Sequence, residues 1–382
     1  MRLLNCLLDN WRWPKRVLAI SKLPAFEFLK STHPEWSNNQ LLNWLRKQSI
    51  DPDEILAEYH RQLACEKELA RVLRNLDVSY RIMKRIGDAS KCVDWADLVI
   101  AIGGDGTFLL ASKLITNNTT PIFGINPHPG TSNTFGLPIE HQADIEELFE
   151  KLRAGDYTVL MRSRIRTTMT GEGLYRQPFH VHEKSRIEGE KRVDALMRST
   201  QRKIADALQP RRRILPWLAL NEVFMAECLA SRPIMLAIQA DDEDEFVTRS
   251  SGICVCTGSG SRSWFRMMNL QTAETVQTLV AMATGKQLNE KETCQVLHKY
   301  HSNLLFPPEN SRMAYMIYEI FRNSLWPDLI SDKRMCCRIK VKSMGFDAGL
   351  VLDGSESLPF NDGSTASFEI RSEYSLKNII LR

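Results

Sequence analysis

Asp105 stands inside Gly103-Gly104-Asp105-Gly106-Thr107, a carboxylate set among residues that expose main-chain N–H groups. Glycines there let a ligand approach the backbone closely, and the N-terminus of a following helix favours an anion such as phosphate. A carboxylate beside phosphates is repelled unless a Mg²⁺ ion lies between them or a substrate hydroxyl donates to it. Both arrangements belong to phosphoryl transfer, where catalysis is mostly positioning and charge neutralisation. The plainer alternative is a sharp turn in which Asp105 caps the helix. The sequence holds no GxxxxGK[ST], no GxGxxG and no HRD or DFG pair, which closes the usual NTPase and protein-kinase routes.

These residues need a strand ending just before them and a helix starting just after. Asp97–Ile102 is apolar beyond its first residue and too short for an ordinary helix, which predicts a fully buried parallel strand. Phe108, Leu109, Leu110, Leu114 and Ile115 then recur at helical spacing, and Ile122–Ile125 makes the next strand after Pro121. Strand, glycine turn, helix and strand form a βαβ unit, whose ligands sit at the carboxyl ends of the strands. Around it the pattern predicts a strand at Arg16–Ser21, a long helix at Pro52–Leu76, a strand at Tyr80–Lys84 and a helix at Asp144–Leu152.

Beyond the Ala154-Gly155-Asp156 turn the composition changes to alternating strands. They are expected at Thr158–Thr170, Leu218–Ala226, Ile234–Gln239, Phe246–Cys256, Arg338–Lys342, Ala348–Leu352, Ser367–Arg371 and Leu376–Leu381. Asn361-Asp362-Gly363 reads as a hairpin turn between two of them, and Leu270–Ala283 and Ser311–Phe321 as helical inserts. The fold class is therefore α/β: a Rossmann-like α/β domain over residues 1–155, then a β-rich, sandwich-like domain over 156–382. Residues 183–213 are charged and poor in apolar side chains, which marks an insertion.

Bulk composition narrows the partners. A chain of 382 residues is long for one core, in keeping with two domains. The net charge of +4 is small and dispersed, which argues against nucleic acid. No apolar run approaches a membrane span. The nine cysteines form no CxxC pair, and their odd number fits reduced thiols. Cys254-Val-Cys256 sits on an apolar strand pattern and reads as packing. His180-Val-His182 has one-face spacing but no further ligand nearby, so no metal site is assigned. Met1–Arg16 carries Arg2, Arg12, Lys15 and Arg16 against the single acid Asp9, with leucines near one helical face. That pattern resembles a mitochondrial transit peptide, the alternatives being an ordinary first helix or a frayed terminus, with the protein then cytoplasmic.

Three further segments complete a series. Ala219-Leu220-Asn221-Glu222-Val223 sets a polar pair between apolar strand residues, Thr257-Gly258-Ser259-Gly260-Ser261 ends an apolar strand, and Val351-Leu352-Asp353-Gly354 precedes the final strands. With the GGDGT turn, and in this order, the chain from about Arg16 to its C-terminus resembles the NAD kinase family. Asn126-Pro127-His128-Pro129 and the Ser-Ser-Gly before Cys254-Val-Cys256-Thr257 are similar to the mitochondrial branch in particular.

The resemblance implies transfer of the γ-phosphate of ATP, with Mg²⁺, to the 2′-hydroxyl of the adenosine ribose of NAD, giving NADP. It implies Asp105 as the catalytic acid that orients or deprotonates that hydroxyl, and Gly103, Gly104, Gly106 and Thr107 as the phosphate-contacting turn. It implies Asn221 and Glu222 as the pair that bonds the NAD ribose, Thr257, Gly258 and Ser261 as the turn beside adenine and ribose, and Asn126 as a further nucleotide contact. A homodimer in the mitochondrial matrix goes with it. Asp353-Gly354 reads as a turn and stays outside the site. Gly130-Thr131-Ser132-Asn133-Thr134-Phe135 departs from the family's usual sequence, as do Cys256, Arg262 and Trp264 around the Thr257 turn.

Two rivals stand beside this. Diacylglycerol and sphingosine kinases share GGDGT, and Gly130–Phe135 resembles the segment that follows it there. Asn221-Glu222 and the Thr257 turn argue against a lipid kinase. A catalytically silent nucleotide-binding relative is the rival from another class, although nothing in the glycine turn is broken.

Overall fold

The computed structural model describes residues 13–84, 89–127, 144–172, 174–175, 179–180, 208–321 and 332–381. Residues 1–12 of the transit-peptide pattern, Gly130–Phe135, His182 and most of the charged insertion lie outside them. The chain divides into two compact units, Met1–Met161 with Leu376–Arg382, and Arg162–Ser375.

The first unit is an α/β layer structure. Its elements are β1 (Arg16–Ser21), α1 (Ala25–Thr32), α2 (Asn38–Lys47), α3 (Pro52–Asn75), β2 (Ser79–Met83) and β3 (Leu98–Ile102). There follow α4 (Asp105–Leu114), β4 (Ile122–Ile125), α5 (Ile145–Ala154) and β5 (Tyr157–Arg162). The sheet order is β2-β1-β3-β4, then the chain's last strand, Leu376–Leu381, then β5. β1 pairs in parallel with β2 and β3, and β3 with β4, so their carboxyl ends lie on one edge. β3 is buried along its whole length, as a central parallel strand must be. Val17, Ala19, Leu98, Ile100 and Ile102 share a core with Leu69, Val72 and Leu73 of α3 and Leu148, Phe149 and Leu152 of α5.

Local signals set the helix ends. Asp51 caps α3 by accepting from the Asp53 N–H at 2.9 Å, with Pro52 at the first helical position. Asp144 accepts from the Glu147 N–H at 3.0 Å, and Gly155 closes α5 at φ 73°. Helices α1 and α2 were not expected. α2 buries only Leu41 and Leu45, too few positions to show a period, although Ser37 and Gln40 form a full capping box at its start.

The second unit is a β-sandwich with helices added. Its strands begin with β6 (Ile165–Thr170), β7 (Phe179–His180), β8 (Arg212–Ala219), β9 (Glu222–Glu227), β10 (Ile234–Ala240), β11 (Phe246–Ser250) and β12 (Gly252–Cys256). Helices α6 (Trp264–Met268), α7 (Ala273–Thr284) and α8 (Glu290–Asn303) follow. The remaining strands are β13 (Met313–Tyr318), β14 (Lys333–Cys336), β15 (Arg338–Ser343), β16 (Ala348–Leu352), β17 (Glu356–Pro359) and β18 (Thr365–Ile370). One sheet runs β11-β10-β15-β18-β6-β8 and the other β14-β13-β12-β9-β16-β17-β7. Side chains from both, such as Met169, Leu236 and Phe368 of the first and Val223, Ile253 and Tyr315 of the second, form one core. Among the described residues no helix is long and apolar enough to cross a membrane.

Six expectations are corrected. Ser311–Phe321 is not helical: Met313–Tyr318 is a buried strand between β12 and β14. A short continuous apolar run fits either a buried strand or a buried helix turn, and periodicity alone does not separate them. Asn361-Asp362-Gly363 is a turn, with Gly363 at φ 84°, yet it joins β17 of one sheet to β18 of the other and makes no hairpin. The single strands expected over Thr158–Thr170, Leu218–Ala226 and Phe246–Cys256 are two strands each: β5 and β6, β8 and β9 broken at Leu220-Asn221, and β11 and β12. The last strand, read with the β-rich domain, pairs in parallel with β4 of the first unit through Asn378 and Ile122.

Candidate active site

In the first unit the glycine turn begins where β3 stops. Gly103 has φ 150°, a conformation that L side chains rarely adopt, and a Cβ there would lie 2.4 Å from Thr107 Oγ1. Its N–H donates to the Ile125 carbonyl at 2.8 Å, tying the turn to the end of β4. Gly104 is the residue before the helix, and its carbonyl accepts from the N–H groups of Thr107 at 3.0 Å and Phe108 at 3.1 Å. A methyl group on Gly104 or Gly106 would meet no atom within 4 Å. Packing therefore requires glycine at Gly103 and at neither of the other two.

Asp105 is the first residue of α4, at the positive end of the helix dipole, with Oδ1 buried. Thr107 is buried one turn in, and Asn126 is buried directly after β4. Behind the turn lies a polar network that sequence patterning did not find. Gln62 of α3, fully buried, donates through Nε2 to Ser21 Oγ at 2.7 Å and to the Ile102 carbonyl at 3.0 Å. Ser21 in turn donates to Glu66 at 2.6 Å. These bonds fix the carboxyl ends of β1 and β3 against α3. Lys22, whose Cβ would lie 3.1 Å from a Cβ on Gly103, is ion-paired with Glu58. Gln62 sits inside an ordinary helical run, so only the residues opposite it reveal its role.

In the second unit the break between β8 and β9 presents Asn221 and Glu222, both buried. Asp353, at φ 45° in the turn after β16, accepts from the N–H groups of Leu220, Asn221 and Glu222 at 2.9, 2.8 and 3.1 Å. Asn221 Oδ1, in a residue 3% exposed, has no hydrogen-bond partner among the described residues. Such an acceptor is costly unless a donor arrives from outside the chain. Arg164, completely buried, donates through Nε to the Tyr374 carbonyl at 2.5 Å. Burial pushes its pKa down to about 9 against the opposing pull of the Asp353 charge.

The Thr257 turn is built on the same segment. The Thr257 N–H donates to the Asn221 carbonyl at 2.9 Å, and its Oγ1 to the Leu220 carbonyl at 2.5 Å. Ser261 Oγ donates to the Gly258 carbonyl at 2.7 Å. Gly258 abuts Pro307, whose carbonyl oxygen would lie 1.9 Å from a Cβ. Arg162, buried, reaches Ser259 Oγ at 3.1 Å. The hydroxyls of Thr257 and Ser261 are thus engaged inside the protein, where they shape the turn. Asp105, the glycine turn, Thr107 and Asn126 belong to the first unit. Asn221, Glu222, Thr257, Gly258 and Ser261 are brought together in the second.

Residues 64–157 match the family model described as the ATP-NAD kinase N-terminal domain. The rat protein named "NAD kinase 2, mitochondrial" is 31% identical, over 96% of this chain and 88% of its own length. The human protein of the same name is 30% identical over 96% of this chain and 84% of its own length. The crystal structure of yeast NADH kinase complexed with NADH has the same fold, with a TM-score of 0.51 at 12% identity, covering 97% of this chain and 84% of that one. The chain belongs to the NAD kinase family, in its mitochondrial branch.

Proposed function

We propose that the protein transfers the γ-phosphate of ATP to the 2′-hydroxyl of the adenosine ribose of NAD. The hydroxyl gives its proton to the Asp105 carboxylate while its oxygen bonds to the γ-phosphorus. The bond from that phosphorus to the β,γ-bridging oxygen breaks, and ADP leaves with NADP as product. The observation that carries this reading is the placement of Asp105: a carboxylate on the first turn of a helix, flanked by two glycines that packing does not require. Gly103, Gly104, Gly106 and Thr107 form the phosphate turn, with Asn126 beside it at the end of β4. Asn221 and Glu222 bind the NAD ribose, for which the buried Asn221 Oδ1 supplies a ready acceptor. Thr257, Gly258 and Ser261 form the turn beside adenine and ribose, and Thr257 ties it to Leu220 and Asn221.

Mg²⁺ fits as part of the nucleotide complex. Among the described residues no group of three or more His, Cys, Asp or Glu side chains could hold a metal ion. Mg²⁺ is ordinarily bound by substrate phosphates and water with one or two carboxylates, so it would arrive with ATP, and Asp105, at the phosphate turn, could offer it one carboxylate oxygen while the other faces the hydroxyl. Bound there, the ion would neutralise phosphate charge.

The mitochondrial matrix is the compartment we assign, supported by the names of the rat and human relatives. We assign a homodimer as well. Helix α7 buries none of its residues, and it exposes Leu279 and Met282 at 60% and 79%. Its one charge is Glu274 near its start, and Lys286, paired within the chain to Glu292, lies just past its end. An antiparallel second copy of α7 would set acid beside base at both ends and cover the apolar middle.

The deciding experiment offers purified protein γ-labelled ATP and Mg²⁺ with NAD, and separately with a diacylglycerol. Label in NADP is the expected result. Label only in lipid, or in neither, would overturn the assignment.

A further inference from the structure

Leu220 and Asn221 lie in the break between β8 and β9, Glu222 opens β9, and each of their six main-chain polar groups is taken. Their three N–H groups converge on one carboxylate, with Leu220 on Asp353 Oδ2 and both Asn221 and Glu222 on Oδ1, at 2.8–3.1 Å. The Asp353 N–H returns a bond to the Glu222 carbonyl at 2.9 Å. The Leu220 and Asn221 carbonyls are taken by the hydroxyl and N–H of Thr257 at 2.5 and 2.9 Å. A strand interior would use these groups for a ladder. Here they are spent on two remote residues, which leaves the Asn221 and Glu222 side chains to be aimed by a fixed backbone.

Asp suits this task by charge and reach. An ionised carboxylate is acceptor on both oxygens, whereas an amide at the same position offers one acceptor and presents N–H groups to a donor. The left-handed φ of 45° at Asp353, followed by Gly354 at φ 66°, turns the side chain back over the break, a conformation Asp tolerates better than most residues. Arg164, completely buried, adds a positive charge that interacts with the Asp353 carboxylate.

We propose that Asp353 is a positioning residue for the nucleotide acceptor: it acts through the main chain of Asn221 and Glu222 and sets the angle at which their side chains meet the ribose. This rests on the reading that the pair binds NAD. The asymmetry it predicts is between substrates, because the ATP turn is made by other residues.

The test is steady-state kinetics on the full chain for Asp353→Asn, Asn221→Ala and the double variant, with thermal unfolding of each. Asp353→Asn is expected to raise the KM for NAD about tenfold, the scale of one charge-assisted hydrogen bond, with the KM for ATP unchanged within about twofold. Because Asp353 acts in part through Asn221, the double variant should raise the KM for NAD by less than the product of the two single effects, the remainder passing through Glu222. An unchanged KM for NAD, equal rises in both KM values, or additive effects would overturn the role. Should Asp353→Asn fail to fold, Asp353→Glu keeps the carboxylate and displaces it by one methylene from the three N–H groups. It should give the same NAD-selective rise, and an unchanged KM for NAD there overturns the role equally. Wild-type protein that makes no NADP would bring down the underlying assignment instead, which separates the two failures.

Discussion

Gly260 rests directly on the main chain of Asn221: a Cβ on the glycine would lie 2.0 Å from the Asn221 carbonyl oxygen and 2.9 Å from its Cα. Both obstacles are backbone, so no side chain can swing aside. Gly260→Ala is expected to push the Thr257 turn away from Asn221 and to cost about 3 kcal/mol, the upper end for overpacking. Urea unfolding measures the loss, and NADP synthesis should fall with it. An alanine variant of wild-type stability would show that the turn has room to move.

Gly103 and Gly106 should separate structure from function. Gly103→Ala combines a φ that L side chains rarely adopt with a contact 2.4 Å from Thr107 Oγ1, and it should destabilise the protein by about 1–3 kcal/mol. Gly106 lies inside α4 with open space around it, so alanine there should stabilise the helix by roughly 0.5–1 kcal/mol. If the turn cradles phosphate, Gly106→Ala must nevertheless weaken ATP binding. A higher melting temperature with a raised KM for ATP is the expected pair of results. A more stable enzyme with unchanged KM would show that the phosphates do not approach there.

Asp105→Asn keeps the size and the helix start while removing the base. It should lower kcat by at least about a hundredfold, the lower end for general-base catalysis, with NAD and ATP still bound. Calorimetric titration of both nucleotides checks binding apart from turnover. Loss of folding in the variant would make Asp105 a structural cap.

Helix α7 gives a prediction about assembly. Leu279→Glu places a charge in the middle of its exposed apolar face, 60% accessible in the single chain. Sedimentation equilibrium should show the wild type as a dimer and the variant as a monomer of unchanged thermal stability. Monomeric wild-type protein would remove the dimer assignment.

How much of this was legible in the sequence depends on distance along the chain. The GGDGT turn could be read because its parts are neighbours, and β3 because its five apolar residues run straight into that glycine turn and a helix. Asn221-Glu222 could be read as a motif, but what holds it could not. Asp353 lies 132 residues from Asn221, in a segment that looks like any Asp-Gly turn. Gln62 is hidden for the same reason: its partners Ser21 and Ile102 are 41 and 40 residues away. The last strand alternates like the strands before it, so its local pattern says nothing of which sheet it joins. The misread β13 is a different failure, since Met-Ala-Tyr-Met-Ile-Tyr is apolar throughout and carries no period of either kind.

The cysteines test the burial of the second sheet through pH. Burial, the neighbouring Cys256 and Glu222 push the Cys254 thiol well above its ordinary value of 9.0; burial and Glu222 do the same to Cys256. Burial first of all pushes Cys65 and Cys336 up to about 12. The thiolate is the reactive form, so none of these four should alkylate while the protein is folded. Cys294 and Cys337 are exposed and should be alkylated by iodoacetamide in the folded protein. Stability follows the same sign. Above about pH 9 the unfolded chain releases thiol protons that the folded chain keeps, so each raised thiol makes folding less favourable as pH climbs towards its folded value. Mass spectrometry at pH 7.5, 9 and 10, with urea midpoints at each, reads both effects. Modification of Cys254 or Cys256 at pH 7.5 in folded protein would show that β12 is not a central strand.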